Sequence, residues 1–185
     1  DVDLSGASLI GIESIKVSSQ SLSMSASQWA NFADKVLRAS GATTSYILSV
    51  SEPGTVSLQA DSNYVGLTGS SGDDQLLGNA SNNILVGGAG SDSLNGYGGD
   101  DRLVSGAGLD TLMGGEGNDT LIVTDKLIVR DVLSGGVGTD VLQLSDGQDL
   151  TLATISDIEA LQVSGTVTLT IAQLSNLKEI SGGTV

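Results

Sequence analysis

Residues 69 to 122 fall into six consecutive nine-residue units with no gap: GSSGDDQLL, GNASNNILV, GGAGSDSLN, GYGGDDRLV, SGAGLDTLM and GGEGNDTLI. After VTDKLIVRDVLS the pattern returns as GGVGTDVLQ at 135 to 143, displaced by 21 residues, which is two periods plus three. The eighth position is always leucine, at Leu76, Leu85, Leu94, Leu103, Leu112, Leu121 and Leu142. The sixth is Asp74, Asn83, Asp92, Asp101, Asp110, Asp119 and Asp140. No unit of this size buries a core alone, so the chain has to stack its units into a solenoid.

The physical content of one unit is legible. Its last three residues make a short strand with the leucine pointing inward, and the glycines of its first half take turn conformations that a Cβ would forbid. Stacking aligns the leucines in a column. It also aligns the sixth-position carboxylates, which repel one another unless a cation lies between them. The chain carries 22 acidic residues against 7 basic ones, a net charge of -15, which repels nucleic acid and anionic membranes and calls for a cationic ligand. Calcium fits best, because it takes six to eight oxygens from carboxylates and main-chain carbonyls, whereas magnesium demands a tighter octahedron. The absence of cysteine and histidine excludes thiolate and the usual zinc sites and His-dependent triads. Glycine is abundant, at 26 residues, and no stretch approaches 18 apolar residues, so no membrane insertion is expected.

These units resemble the RTX nonapeptide, GGxGxDxUx. The resemblance implies an all-β fold, a right-handed parallel β-roll with calcium between its turns and strand-plus-short-helix capping elements at its flanks. Two nonapeptides make one turn in that family, which pairs Asp74 with Asp92, Asp92 with Asp110, Asn83 with Asp101, Asp101 with Asp119 and Asp119 with Asp140, about five calcium ions. Turn carbonyls complete the implied ligand set, at Gly72, Gly88, Gly90, Gly99, Gly106, Gly108, Gly115, Gly117, Gly136 and Gly138. Asn83 is neutral and Ser81 replaces a turn glycine, which weakens that pair. The broken stretch around Lys126 and Arg130 leaves Asp110 with no expected partner beyond it.

The chain divides on this reading into an N-terminal cap (1–59), the roll (60–152) and a C-terminal cap (153–185). The caps are one element used twice: GIESIKVSSQSLSMSASQWANF at 11 to 32 aligns with DIEALQVSGTVTLTIAQLSNL at 157 to 177, matching Glu13 to Glu159 and Gln28 to Gln173. Each reads as two short strands and a helical turn. In the first copy Ser27 is the expected cap of a helix whose Trp29, Phe32, Ala33, Val36 and Leu37 share a face. Caps cover the leucines and strand edges that a solenoid's terminal turns expose. The repetition also suggests a parent protein that reuses a block of about 146 residues. Asp1 opens the chain without a signal-peptide pattern, which reads as a fragment of something longer. Asp1, Asp3, Ser5 and Gly6 imitate the start of an EF-hand loop, but the twelfth position is Ile12 and the acid falls at Glu13. Asn79-Ala80-Ser81 and Asn118-Asp119-Thr120 match the glycosylation acceptor only as a by-product of the repeat.

The expected function is a calcium-binding structural module that is loose at low calcium and rigid in calcium outside the cell. By resemblance, it belongs to a large protein exported by type I secretion from a Gram-negative bacterium. Repeated caps favour a surface-layer protein or adhesin, with like chains or neighbouring modules as partners, over the tail of a toxin or secreted hydrolase. Two other classes were weighed. Catalysis is not expected, because the repeat accounts for the central aspartates and no carboxylate pair is left over. Ligand recognition by a flat face would need a regular outward row, which Gln75, Ser93, Arg102 and Thr111 do not form.

Overall fold

The computed structural model describes residues 2–3, 21–24, 46–50, 55–57, 64–124, 130–175 and 177–184. The helix expected after Ser27, the EF-hand-like opening at Asp1 and Glu13 lie outside the described residues.

The chain is a parallel β-solenoid with two sheets. Before the repeats come β1 (Val2–Asp3), β2 (Ser21–Met24), β3 (Tyr46–Val50), β4 (Thr55–Ser57) and β5 (Tyr64–Thr68). The repeats supply β6 (Gln75–Leu77), β7 (Ile84–Ala89), β8 (Ser93–Gly98), β9 (Arg102–Ala107), β10 (Thr111–Glu116) and β11 (Thr120–Ile122). Then follow β12 (Val132–Val137), β13 (Val141–Ser145), β14 (Thr154–Ser156), β15 (Ala160–Thr166), the four-residue helix α1 (Ile171–Leu174) and β16 (Glu179–Thr184). From β4 to β15 successive strands alternate between sheets. One sheet runs β1-β2-β3-β5-β7-β9-β11-β13-β15-β16 and the other β14-β12-β10-β8-β6-β4. Every described pairing is parallel, so the flanking strands extend the same sheet as the repeats.

Register follows the repeat. Leu76, Leu94, Leu112, Leu133 and Ile155 align across one sheet. Leu67, Leu85, Leu103, Leu121, Leu142 and Leu161 align across the other. All are fully or almost fully buried except Ile155, which is partly buried against them. Each buried leucine contributes roughly 1.5–3 kcal/mol relative to exposure. The columns therefore zip the coils together, and they pass through Leu133, inside the stretch where the repeat is broken.

The strands differ from the three-residue expectation. β7, β8, β9, β10 and β12 run for 6 residues, through the first glycines of the next unit. Those glycines pair with their counterparts one coil on, as Gly88 does with Gly106. Only the fourth to sixth positions make the turn. Glycine is thus required for two reasons: Gly90 has φ +118, where a side chain is strained, while Gly87 sits where a Cβ would strike the carbonyl oxygen of Ser105 in the next coil.

At the C-terminal end α1 is fixed by a capping box in which the Thr170 side chain accepts from the Gln173 amide and Gln173 Oε1 accepts from the Thr170 amide. The Gln173 side-chain amide also donates to the carbonyls of Leu150 (2.7 Å) and Ala153 (2.8 Å). One side chain thus closes the helix and ties it to the last coil, which gives the matched glutamine of the two flanks a physical role at Gln173.

Candidate metal centre

Turns from one sheet to the other carry the sixth-position residues, and because the turns alternate in direction these residues form two rows on opposite edges. One row holds Asp74, Asp92, Asp110 and Asp131. The other holds Asn83, Asp101, Asp119 and Asp140, and continues to Glu159. All the aspartates and Asn83 are buried, between 0% and 4% exposed.

Within each row one carboxylate oxygen accepts the main-chain N–H of the residue one coil earlier. The Asp74 amide donates to Asp92 Oδ1, Asp92 to Asp110 and Asp110 to Asp131, at 2.8–2.9 Å. Asn83 donates to Asp101, Asp101 to Asp119, Asp119 to Asp140 and Asp140 to Glu159 Oε2, at 2.7–2.9 Å. The residues paired from the sequence thus stand one coil apart and are joined by this hydrogen bond. Asp110 does have a partner, which corrects the expectation that its row breaks off. That partner is Asp131, which the sequence reading missed although Asp131-Val132-Leu133 keeps the D-x-L tail of a unit. The break amounts to three extra residues, not a lost turn.

The second carboxylate oxygen decides what the rows are for. Oδ2 of Asp92, Asp101, Asp119 and Asp140 is buried and has no hydrogen-bond partner. A buried carboxylate oxygen without a donor or cation is strongly unfavourable. Each lies close against a glycine of its own unit, with a carbonyl oxygen of the next coil beside it. A methyl on Gly87 would reach Asp92 Oδ2 at 2.5 Å and overlap the Ser105 carbonyl oxygen. One on Gly96 would overlap Asp101 Oδ2 and reach the Gly114 carbonyl oxygen at 2.6 Å. One on Gly114 would overlap Asp119 Oδ2 and reach the Gly135 carbonyl oxygen at 2.5 Å. Among the described residues no three acidic side chains gather to hold a metal. An ion here must draw on paired carboxylates and main-chain carbonyls, an all-oxygen set that suits calcium.

Electrostatics agrees. Burial, with smaller contributions from neighbouring carboxylates, pushes the Asp92 and Asp140 carboxyls up to about 6 and Asp101 to about 7, and raises Asp119. For Asp140 the neighbouring charges are Asp119, Glu159 and Asp157. A divalent ion would supply the positive charge that this environment lacks.

The first turns are built differently. Asp74 Oδ2 accepts from the Ser70 amide at 2.7 Å and the Ser70 hydroxyl at 2.9 Å, and Asn83 Oδ1 accepts from the Asn79 amide at 2.8 Å. Each is satisfied within its own turn. The demand for an outside cation begins one coil later.

The sequence profile of the RTX calcium-binding nonapeptide repeat matches residues 67–94, 86–121 and 130–150, in four copies. The matched stretches reach all seven units and cover less than half of the chain. No curated protein and no solved structure matches the chain. The third matched stretch of RTX sequence takes in Asp131 as well as Asp140, in agreement with the uninterrupted rows.

A second ladder, of opposite sense, lies outside the first at the fifth positions. Asn82 Oδ1 accepts from the Asp100 amide, Asp100 Oδ1 from Asn118 and Asn118 Oδ1 from Thr139, at 2.8–3.0 Å; Asp73 does the same for Ser91 at 2.7 Å. Sequence reasoning missed it, because the outward positions compared there were those of the strands. Its signal was present as Asn, Asp and Asn at every second fifth position. Adjacent coils are thus bolted in both directions from Asn82 to Thr139 on one edge and between Asp73 and Ser91 on the other.

Proposed function

We propose that this RTX β-roll is a calcium-gated structural module of a secreted or cell-surface bacterial protein, serving surface-layer assembly or adhesion. The observation that supports it is the set of buried, partnerless carboxylate oxygens at Asp92, Asp101, Asp119 and Asp140 in a chain of net charge -15. Without calcium these charges oppose compaction, and with calcium they hold successive coils together, so calcium binding is folding. The reuse of one capping element at both flanks favours an extended surface protein. No helix among the described residues is long and apolar enough to cross a membrane. We assign no catalytic role.

The test is far-UV circular dichroism and sedimentation velocity while calcium is titrated into metal-stripped protein, with magnesium as control. A cooperative gain of β structure and compaction with calcium alone supports the gate. Self-association at the same calcium concentration supports assembly, whereas a compact monomer throughout would leave an adhesin's spacer as the role. A metal-stripped chain already fully folded, with neither signal moved by calcium, would sink the reading.

A further inference from the structure

The row that ends the repeats does not end with an aspartate. Beyond Asp140 the next coil passes from Ser156 to Ala160 through only Asp157, Ile158 and Glu159, whereas the coil above has the six residues GGVGTD between their register partners Ser134 and Val141. The profile of the repeat stops at residue 150. Yet the grouping of glycine, carboxylate oxygen and next-coil carbonyl recurs. Gly135 pairs in sequence with Asp140 as Gly114 does with Asp119, and a methyl on it would overlap the carbonyl oxygen of Asp157 and reach Asp140 Oδ2 at 2.6 Å. Asp140 is 0% exposed and its Oδ2 has no partner.

Glu159 occupies the aspartate's station. Its strand is in register with the repeat, Ala160 opposite Val141 and Leu161 opposite Leu142, and its Oε2 accepts the Asp140 amide at 2.9 Å as an aspartate would. One methylene more than aspartate lets it reach that amide from a shortened bend. Asp157 supplies the next-coil carbonyl from φ +53, left-handed backbone that glycine would normally hold. Both departures from the repeat's residue types keep an oxygen where the repeat places one, the Asp157 carbonyl beside Gly135 and the Glu159 carboxylate at the Asp140 amide.

We propose that the calcium row takes one more ion past the recognised repeats, between the turn at 136–140 and the bend at 157–159, with Glu159 as its closing carboxylate. This rests on the reading of the repeats as calcium sites. The bend lacks the glycine carbonyls of a full turn, so this ion is the weakest held and the last to bind. Among the described residues the competing cation is Lys178, whose Nζ lies 3.9 Å from Glu159 Oε1 on a side chain 73% exposed. A loose surface pair of this kind is weak and does not neutralise Asp140.

Calcium bound per chain is to be counted by equilibrium dialysis, and the stepwise affinities measured by calorimetry, on the metal-stripped 185-residue chain. Glu159→Gln keeps an acceptor for the Asp140 amide but removes the charge. The expected result is one ion fewer, with the weakest step lost and the calcium-loaded circular dichroism spectrum unchanged. The same number of ions with the same affinities would overturn the proposal and leave Glu159 a cap for one amide. Should Glu159→Gln not fold, Lys178→Met decides: relief of competition tightens the weakest step a few-fold, and no change in any step overturns the proposal. If the parent chain binds no calcium at all, it is the reading of the repeats that has failed; if it binds calcium and neither variant alters a step, only this proposal has.

Discussion

The main-chain amide of Asp101 donates at 2.8 Å to Oδ1 of Asp119, 18 positions further along the chain. That one bond fixes the length of a coil. It also fixes the Asp119 carboxylate so that its Oδ2 is buried with no donor against it, and the Asn83 amide does the same for Asp101, so the fold's own hydrogen bonding creates the demand for positive charge.

Asp101→Asn is therefore expected to act in opposite directions with and without calcium. The amide oxygen still accepts the Asn83 N–H, but the uncompensated charge is gone. Without metal the roll should gain stability, on the order of 1–3 kcal/mol if the full penalty of a partnerless buried group is relieved. In calcium it should need a markedly higher concentration to fold. Urea midpoints in chelator and in excess calcium measure both arms, and a loss of stability in both would show that Asp101 serves only as a turn residue.

The raised carboxyls give the metal-free roll an inverted pH dependence. Their folded pKa values, about 6 for Asp92 and Asp140 and about 7 for Asp101, stand above the ordinary 3.8. The folded state binds protons more tightly than the unfolded one, so this contribution is fully present below about pH 4 and disappears as pH climbs through 6 to 7. Calcium reverses the sign, because its ligands must be ionised. Metal-stripped protein should accordingly become easier to unfold between pH 4 and 7, while the calcium needed for folding should fall over the same range. A metal-free stability that rises with pH would contradict the burial of these groups.

Much of this arrangement was legible in the sequence because a strict period dictates register. Once Leu94 and Leu112 are two units apart, their pairing and that of Asp92 with Asp110 follow together. What stayed hidden had a specific cause each time. Asp131 and Leu133 keep their tail, but the glycines before them are gone, so the unit looked absent. Glu159 is a longer acid on a shorter bend, and only the coordinates show that the two changes compensate at the Asp140 amide. The outer ladder of Asn82, Asp100 and Asn118 shows only when alternate units are compared, since neighbouring turns lie on opposite edges.

Two glycines separate backbone strain from crowding at the carboxylate row. Gly96→Ala would drive a methyl into Asp101 Oδ2 and the Gly114 carbonyl oxygen, whereas at Gly147, with φ +83, nothing lies within 4 Å of a new methyl. Gly147→Ala should cost about 1 kcal/mol for the left-handed backbone and leave calcium binding alone. Gly96→Ala should raise the calcium midpoint at least as strongly as Asp101→Asn. Equal calcium midpoints for the two alanine variants would mean that no ion binds at Asp101.

The leucine columns predict how a defect spreads. Leu103 is fully buried between Leu85 and Leu121 in adjacent coils, and Leu103→Ala should cost about 2–5 kcal/mol, the range for a leucine cavity that cannot collapse. In a solenoid each coil leans only on its neighbours, so the loss falls on the interfaces next to Asp101 and Asp119 and not evenly on the whole chain. Amide hydrogen exchange in calcium should then show weakened protection at β7, β9 and β11, with β13 and β15 nearly unchanged. Uniform loss along the sheet would instead mean that the ions couple all the coils into one cooperative unit, and the calcium titration of Leu103→Ala would keep a single steep transition.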